Sequence, residues 1–220
     1  SMRNIFNKYK PNLVLVHGDT TTTLAASLAA FYGNIPVGHV EAGLRTNDIL
    51  APFPEEFNRQ VTSKIAMLNF APTQSSFENL VNEGIDKNKI FVTGNTVIDA
   101  LKLVIEKIEN NLEKKRKIES FLNKILDFDL DKKFVLVTGH RRENFGDGFI
   151  NICEALSALA KKFSDFHFVY PVHLNPNVQK PVKSILSEDK NIHLIDPLEY
   201  EPFIFLLRKS YMVLTDSGGI

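Results

Sequence analysis

Three carboxylates in the first part of the chain lie where an apolar run gives way to a turn or a helix. Asp19 and Glu41 each follow directly on such a run, and Glu55 opens a segment with helical spacing. In an open sheet of parallel strands, ligands bind outside the carboxyl ends of the strands, so acids there are aimed at a ligand. Clustered carboxylates suit proton transfer and the stabilisation of positive charge that develops on a substrate. The pattern therefore indicates an enzyme.

A basic cluster follows a buried apolar run in the second half of the chain. Residues 138–146 read Thr-Gly-His-Arg-Arg-Glu-Asn-Phe-Gly. Here His140 can carry a proton or donate to a phosphate, and Arg141 can bind a phosphate through two hydrogen bonds. We expect this edge to bind an anion, opposite in charge to the acidic edge of the first half.

Two later strand ends repeat this arrangement. His173 follows the next apolar run, and the segment Ser217, Gly218 and Gly219 follows the last one. A hydroxyl beside two glycine N–H groups can form a small anion-binding nest. An acidic edge and a basic edge together predict a nucleotide-sugar ligand, with its pyrophosphate on the basic side.

Each acidic motif also has a simpler structural interpretation. Asp19 or the neighbouring Thr20 could serve only to cap the following helix. Glu41 could form a local ion pair with Arg45. Glu55 could serve only to stabilise the N-terminus of a helix, where the helix dipole favours a negative charge. These alternatives stay open at the level of the sequence.

Composition excludes several classes of function. The 26 Lys and Arg residues balance 26 Asp and Glu residues, so no basic field predicts nucleic-acid or membrane binding. The single cysteine, Cys153, lies in an apolar helical pattern and is expected in the core, and its isolation fits a reducing compartment. A soluble, cytoplasmic protein is expected.

His167 and His193 lie inside strand patterns and are expected to be structural. No histidine or cysteine spacing predicts a metal site.

Alternating elements run along the whole chain. Short apolar runs bounded by turn residues predict buried parallel strands. They cover residues 12–16, 36–40, 67–71, 89–93, 133–138, 166–171, 191–195 and 210–215. Helical spacing covers residues 20–33, 54–66, 74–83, 96–111, 149–163, 175–187 and 199–209. Such alternation predicts α/β lobes with helices on both faces of a parallel sheet.

A charged stretch divides this pattern into two lobes, residues 1–105 and 133–220. The stretch itself, residues 106–132, is rich in Lys, Glu and Asn and holds few large candidates for a core. We interpret it as a linker of one or two solvated helices.

The motifs at these strand ends resemble those of the bacterial non-hydrolysing UDP-N-acetylglucosamine 2-epimerases, in order and through nearly the whole chain. The matching segments are His-Gly-Asp-Thr (17–20), His-Val-Glu-Ala-Gly-Leu-Arg (39–45), Pro-Phe-Pro-Glu-Glu-x-Asn-Arg (52–59), Gly-Asn-Thr-Val-Ile-Asp-Ala (94–100), Gly-His-Arg-Arg-Glu-Asn (139–144), Tyr-Pro-Val-His-Leu-Asn-Pro-Asn-Val (170–178) and Thr-Asp-Ser-Gly-Gly-Ile (215–220).

The resemblance implies two Rossmann-like lobes of the GT-B type, as in UDP-glycosyltransferases and glycogen phosphorylase, with substrate between them. It implies interconversion of UDP-GlcNAc and UDP-ManNAc by anti elimination of UDP to 2-acetamidoglucal and re-addition, with no cofactor. The product would supply ManNAc for a cell-surface polysaccharide. Family members carry a leading strand with a phosphate-binding loop and a longer second lobe. Both lobes are therefore expected to be incomplete here.

Roles carry over from the resemblance residue by residue. Asp19, Glu41 and Glu55 match catalytic acids, without deciding which takes the proton of C2. His140 matches a histidine at the UDP phosphates that assists departure and return of UDP. Residues matching other UDP contacts are Phe203, near uracil, and Ser217, Gly218 and Gly219, near the phosphates.

The resemblance also implies regulation and assembly. In the non-hydrolysing branch a second substrate molecule acts as an allosteric activator, and Glu55, Arg141 and His173 match its surroundings. A homodimer is expected if the protein is complete. Three alternatives remain: a hydrolysing epimerase that releases ManNAc and UDP, a GT-B glycosyltransferase, and an inactive remnant that only binds nucleotide.

Overall fold

The computed structural model describes residues 2–139 and 146–216. The chain divides into two compact units, Ser1–Ala100 and Leu101–Ile220. Each unit contains a four-stranded sheet in which every strand pair is parallel, with helices packed around it, as the alternating pattern predicts. In the part of the chain that the structure describes, no helix has both the length and the apolar character needed to cross a membrane.

The first unit alternates strands and helices along the chain. Its elements are α1 (Met2–Tyr9), β1 (Val14–His17), α2 (Thr21–Tyr32), β2 (Val37–Val40), α3 (Glu55–Ile65), β3 (Leu68–Ala71), α4 (Gln74–Asn82), a 3₁₀ turn (Lys87–Lys89), β4 (Ile90–Val92) and the start of α5 (Thr96–Glu109). The strands follow one another across the sheet in the order β1-β2-β3-β4. Their carboxyl ends therefore share one edge, where Asp19 and Glu41 follow β1 and β2.

Small side chains allow the helices of the first unit to lie close to its sheet. Ala26 and Ala30 of α2 are buried against Val16 and Val37 of β1 and β2. The opposite face of this sheet is exposed at Leu15 of β1 and at Phe91 of β4. Helix α1 adds Phe6 to this core. No element was predicted for residues 2–9, although Met2, Ile5, Phe6 and Tyr9 have helical spacing, because eight residues are fewer than the roughly 11 over which such spacing is a clear signal.

The second unit contains the end of α5 and the remaining elements. These are α6 (Leu112–Ile125), β5 (Phe134–Thr138), α7 (Asp147–Lys162), β6 (His167–Pro171), α8 (Pro176–Leu186), β7 (Ile192–Ile195), α9 (Tyr200–Lys209) and β8 (Met212–Thr215). The sheet order is β7-β6-β5-β8, so the direction of strand addition reverses between β5 and β8. Such a switch point opens a crevice at the carboxyl ends of the two strands, where doubly wound folds bind nucleotides.

Strand β5 shows why this sheet is apolar throughout. Phe134 and Leu136 point into one core, which α6 and α9 cover, and Val135 and Val137 point into the other, which α7 and α8 cover. Alternate residues of a strand face opposite sides, so a strand with helices on both faces must be apolar at every position. Cys153 of α7 is fully buried in the second core, which confirms its expected structural role. Burial raises the pKa of its thiol to about 11.

The charged stretch 106–132 is not merely a solvated connection. Ile118 and Leu122 of α6 are buried, and Leu126, Phe128 and Leu130 continue the same core beneath the second sheet. The expectation that this stretch holds few core residues is therefore wrong. Helix α6 buries one narrow apolar stripe, with about one side chain per helical turn. Charged residues cover the rest of its surface and therefore outnumber the apolar ones in the sequence.

The two strand histidines are structural, as expected. His167 Nδ1 lies 2.8 Å from His193 Nε2, and His193 Nδ1 lies 2.5 Å from Asp127 Oδ1. Phe128 stacks on the His167 ring with centroids 4.1 Å apart. The pair lies at the start of β6 and β7, at the opposite edge of the sheet from the switch-point crevice.

Candidate active site

Asp19 lies in the turn between β1 and α2, at the carboxyl edge of the first sheet. Gly18 adopts φ +70° and donates its N–H to the Val40 carbonyl at 3.0 Å, which ties the turn to β2. Thr20 caps α2, because its side-chain oxygen accepts the Thr23 N–H at 3.3 Å. The capping role thus belongs to Thr20. The Asp19 carboxylate, 30% exposed, is left to interact with other groups.

Helix α3 holds Asp19 from the other side. Asn58 donates its side-chain N–H to the Asp19 backbone carbonyl at 2.8 Å. Arg59 Nη2 lies 3.5 Å from Asp19 Oδ2, and Arg59 Nε lies 3.2 Å from Glu56 Oε2. Glu56 is fully buried, and Arg59 is nearly so. Sequence reasoning missed Asn58 and Arg59. The available signal was the polar run of the first turns of α3, whose charges fall on the buried face.

The charge of Asp19 is set by two opposing effects. Burial raises the pKa of the Asp19 carboxyl, and the Arg59 guanidinium lowers it. The negative charges of Glu55 and Glu56 also raise this pKa, so the overall direction is upward. The structure therefore brings Glu55 within electrostatic reach of Asp19. A carboxyl with raised pKa binds and releases protons closer to neutral pH, as a general acid or base must.

Glu41 lies at the end of β2, the strand adjacent to the one that Asp19 follows. Its Oε2 atom lies 3.8 Å from His17 Nε2, and a β-carbon built on Gly18 would lie 3.3 Å from the same oxygen. Glu41 itself has φ +67°, in the left-handed region that a glutamate rarely adopts. Strained residues of this kind concentrate at functional sites. Asp19 and Glu41 thus share the carboxyl edge of β1 and β2, as the sequence predicts.

Arg45 is a structural residue. Its Nε and Nη2 atoms donate to the two carboxylate oxygens of Glu83 at 2.5 and 2.9 Å. The Arg45 side chain is only 1% exposed. The simpler interpretation of this motif, a local ion pair between Glu41 and Arg45, is therefore wrong, because Arg45 pairs with Glu83. The Glu41 carboxylate lies near His17 instead.

Gly43 is required where the loop after Glu41 crosses α4. It has φ +91°, and a β-carbon there would lie 2.2 Å from the Ser76 carbonyl oxygen. The Asn79 side chain donates to the Gly43 carbonyl at 2.9 Å. This contact clamps the loop that follows Glu41 against α4.

Replacing Gly43 by alanine is expected to lower the free energy of unfolding of the first unit by at least about 3 kcal/mol, because it adds a backbone clash to left-handed strain. The matched control is Gly84→Ala, since Gly84 has φ +80° but no atom within 4 Å of the built β-carbon. That control should cost only about 1 to 2 kcal/mol. Urea denaturation compares the two, and equal losses would contradict a close approach at Gly43.

His39 of β2 is buried beneath the Asp19 turn. Burial lowers the pKa of its imidazole to about 4, although a hydrogen bond with the Gly18 carbonyl opposes the shift. The ring is therefore neutral at physiological pH. In the unfolded chain a histidine titrates near its ordinary value of 6.5.

This lowered pKa predicts acid sensitivity. A base whose pKa falls on folding contributes its full stability above about pH 6.5 and loses it as the pH falls towards about 4. We expect wild type to lose about 3 kcal/mol more than His39→Gln over this window, because glutamine does not titrate. Urea denaturation at pH 7 and pH 4 measures the difference. Parallel losses in both proteins would contradict a neutral buried His39.

Gly139, Tyr170 and Asp216 meet at the switch point of the second sheet. The Tyr170 hydroxyl, fully buried, donates to the Gly139 carbonyl at 2.6 Å. A β-carbon built on Gly139 would lie 3.8 Å from Asp216 Oδ2. Burial raises the pKa of the Tyr170 phenol, so it remains a neutral donor. Strands β5 and β8 thus end together, in the register Thr138 to Thr215.

Two of the remaining predicted residues of the second unit, His173 and Phe203, lie in the described part of the chain. His173 is exposed after β6, where its Nδ1 accepts the Asn175 N–H at 3.1 Å. Phe203 of α9 is partly buried against the core of the unit. The other predicted site residues lie outside the described part of the chain: His140, Arg141, Ser217, Gly218 and Gly219. Among the described residues, no group of three acids, histidines or cysteines is placed to hold a metal ion.

Comparison with known proteins gives a consistent result. The family model described as UDP-N-acetylglucosamine 2-epimerase matches residues 1–220. A UDP-N-acetylglucosamine 2-epimerase of Campylobacter jejuni is 57% identical over 219 residues, which cover 100% of this chain and 57% of that protein. The crystal structure of UDP-GlcNAc 2-epimerase from Neisseria meningitidis bound to UDP-GlcNAc matches with a TM-score of 0.93 and 52% identity, covering 100% of this chain and 58% of that one.

A second solved structure, S. aureus MnaA in complex with UDP, matches with a TM-score of 0.86 and 44% identity, covering 100% of this chain and 57% of that one. The chain therefore spans between half and two thirds of the length of each of these relatives. The fold is shared over the length of chain that these two structures match.

Proposed function

The chain belongs to the UDP-N-acetylglucosamine 2-epimerase family, and from this membership we propose that it interconverts UDP-GlcNAc and UDP-ManNAc. The observation that carries the proposal is the placement of Asp19 and Glu41 at adjacent strand ends, with Arg59 and Asn58 holding Asp19 in place. This arrangement supports proton transfer at a sugar carbon better than nucleotide binding alone, which would need no acid with a raised pKa.

Epimerisation at C2 needs a proton to leave one face of the sugar and return to the other. We propose that the C2 proton is removed as UDP leaves C1, which gives a double bond between C1 and C2. UDP then returns to C1 and a proton to the opposite face of C2, so that no atom is gained or lost. Breaking the anomeric C–O bond builds positive charge on the sugar ring, which a nearby carboxylate stabilises.

The two carboxylates suit different parts of this reaction. The raised pKa of Asp19 suits it to exchange a proton with C2, and the Arg59 guanidinium stabilises its charged form. Glu41 is proposed to stabilise the positive charge of the sugar ring. Glu55, near Asp19, is proposed both as a third acid of the site and as part of the activator's surroundings.

Recognition of UDP is assigned to the carboxyl edge of the second sheet. The switch point between β5 and β8 supports this assignment, because nucleotides bind at such points in doubly wound folds. The proposed contacts are His140 at the phosphates, which also assists departure of UDP, Ser217, Gly218 and Gly219 at the phosphates, and Phe203 near uracil.

Regulation, assembly and location complete the proposal. A second UDP-GlcNAc molecule is proposed to act as an activator through Glu55, Arg141 and His173. A homodimer and a cytoplasmic location, with the product used for a cell-surface polysaccharide, are proposed on the same basis. No cofactor has a role in the proposed reaction.

The proposal is tested by incubating the chain with UDP-GlcNAc and separating the products by chromatography. The same assay is run on a chimera in which residues 1–220 replace the matching segment of the Neisseria meningitidis enzyme. Formation of UDP-ManNAc supports the proposal. Release of free ManNAc and UDP would assign the chain to the hydrolysing epimerases instead. Unchanged UDP-GlcNAc with both proteins folded would contradict the proposal.

A further inference from the structure

A chain of hydrogen bonds runs through the first unit to the Asp19 turn. It begins at the buried guanidinium of Arg45, which Glu83 holds through two hydrogen bonds. Arg45 Nη2 lies 3.3 Å from Ser63 Oγ, and Ser63 Oγ lies 3.4 Å from His39 Nδ1. At the far end, His39 Nε2 lies 2.8 Å from the Gly18 carbonyl oxygen. The chain therefore links α4, α3 and β2 to the residue that precedes Asp19.

The chemistry of the groups fixes the direction of each link. A carbonyl oxygen can only accept, so His39 Nε2 must carry the hydrogen. The ring is neutral, so Nδ1 then has a lone pair and accepts the Ser63 hydroxyl hydrogen. The Ser63 oxygen in turn accepts from Arg45, which has only donors. A single tautomer of His39 satisfies all of these links.

Both peptide groups that flank Asp19 are held in place by side chains. His39 holds the Gly18 carbonyl, and Asn58 holds the Asp19 carbonyl. Gly18 has φ +70°, and its N–H is held by the Val40 carbonyl, so the His39 contact fixes the second polar group of a residue with wide conformational freedom. His39 and Ser63 are both fully buried, which keeps water from replacing either side chain in these contacts.

We propose that His39 is a positioning residue, held by Ser63 and Arg45 in its Nε2–H tautomer so that it fixes the turn carrying Asp19. This inference rests on the proposed function, because it assigns His39 the task of placing an acid that acts on the sugar. His39 itself touches neither substrate nor the reacting atoms in this account. It acts through the Gly18 carbonyl.

The first test is nitrogen NMR of the whole 220-residue chain labelled at histidine. The His39 signals are assigned by their loss in His39→Gln. We expect a proton on Nε2 and a bare, hydrogen-bonded Nδ1 at neutral pH. In Ser63→Ala the Nδ1 signal should move towards that of an unbonded nitrogen, and Ser63→Thr, which keeps the hydroxyl, should restore it. A proton on Nδ1, or identical spectra for Ser63→Ala and wild type, would overturn the proposal.

The second test follows the Asp19 carboxyl carbon through a pH titration. We expect His39→Phe to change the titration midpoint and His39→Gln, which keeps an N–H donor, to restore most of it. His193→Gln is the control for loss of a structural histidine in the second unit and should leave the Asp19 midpoint unchanged. If His39→Phe does not fold, the titration midpoint of the Asp19 carboxyl is compared between Ser63→Ala and Ser63→Thr instead. An Asp19 midpoint that none of these His39 or Ser63 variants moves would overturn the proposal.

Turnover separates this inference from the proposed function. With the chimera, misplacement of Asp19 in His39→Phe should lower kcat by about 100-fold with little change in KM, and His39→Gln should recover most of the loss. Wild-type kcat in His39→Phe would overturn the positioning role. Absence of turnover in every form, with the NMR signature intact, would count against the proposed function alone.

Discussion

Replacing Asp19 by asparagine is expected to lower the turnover of UDP-GlcNAc by about 1,000-fold, because a positioned proton carrier contributes on this order. Asparagine has nearly the same shape, so the hydrogen bond from Asn58 to the backbone of residue 19 is retained. It cannot exchange a proton with C2, and it no longer carries the charge that Arg59 faces at 3.5 Å. Binding of UDP, which is assigned to the other unit, should change by less than about threefold.

The variant is assayed in the chain, or in the chimera where the chain turns over too slowly to measure. Asp165→Asn makes the same chemical change at an exposed residue of the second unit and should leave turnover unchanged. A kcat in Asp19→Asn within about tenfold of wild type would remove Asp19 from the proton-transfer role, since that is less than general acid or base catalysis supplies.

Replacing Arg59 by methionine should destabilise the first unit by about 3 kcal/mol, because it removes the cation in direct contact with a buried carboxylate. That carboxylate belongs to Glu56, which is fully buried. Burial raises the pKa of the Glu56 carboxyl, but hydrogen bonds from Gln60 and from the Thr46 N–H, together with Arg59, lower it overall. Glu56 therefore remains charged, and Arg59 offsets its charge and that of Asp19 at once.

Native-state hydrogen exchange of the β1–β3 amides isolates the stability of the first unit from that of the second. Arg208→Met is the matched control, because Arg208 pairs with Glu109 at 2.5 Å with both side chains more than a third exposed. That loss should stay below about 1 kcal/mol. The double change Arg59→Met with Glu56→Gln should recover part of the loss. An equal effect of Arg59→Met and Arg208→Met would show that the buried pair contributes no more than a surface pair.

Strand ends were the part of the site that the sequence could predict. Parallel strands place their carboxyl ends at one edge, so Asp19 and Glu41 could be expected together from local patterns alone. The strands of both units overlap the predicted apolar runs. In β5 the reason is that a strand with both faces covered must be apolar throughout.

Partners from distant segments could not be predicted in this way. Arg59 and Asn58 contact Asp19 although they lie about 40 positions away in the sequence. Arg45 pairs with Glu83 and not with Glu41, which is closer in the sequence. Local spacing carries no information on such pairs, because they depend on how α3 and α4 pack on the sheet. The buried role of α6 was missed for a different reason, since its charged residues outnumber its single apolar stripe.

Proton NMR of UDP-GlcNAc incubated with the chain in D₂O tests the central claim most directly. Removal and return of the C2 proton would exchange it with solvent, so the account predicts UDP-ManNAc that carries deuterium at C2. The chimera with the Neisseria meningitidis enzyme is measured in parallel under the same conditions. UDP-ManNAc that retains the original proton at C2, or unchanged UDP-GlcNAc from both folded proteins, would contradict the account.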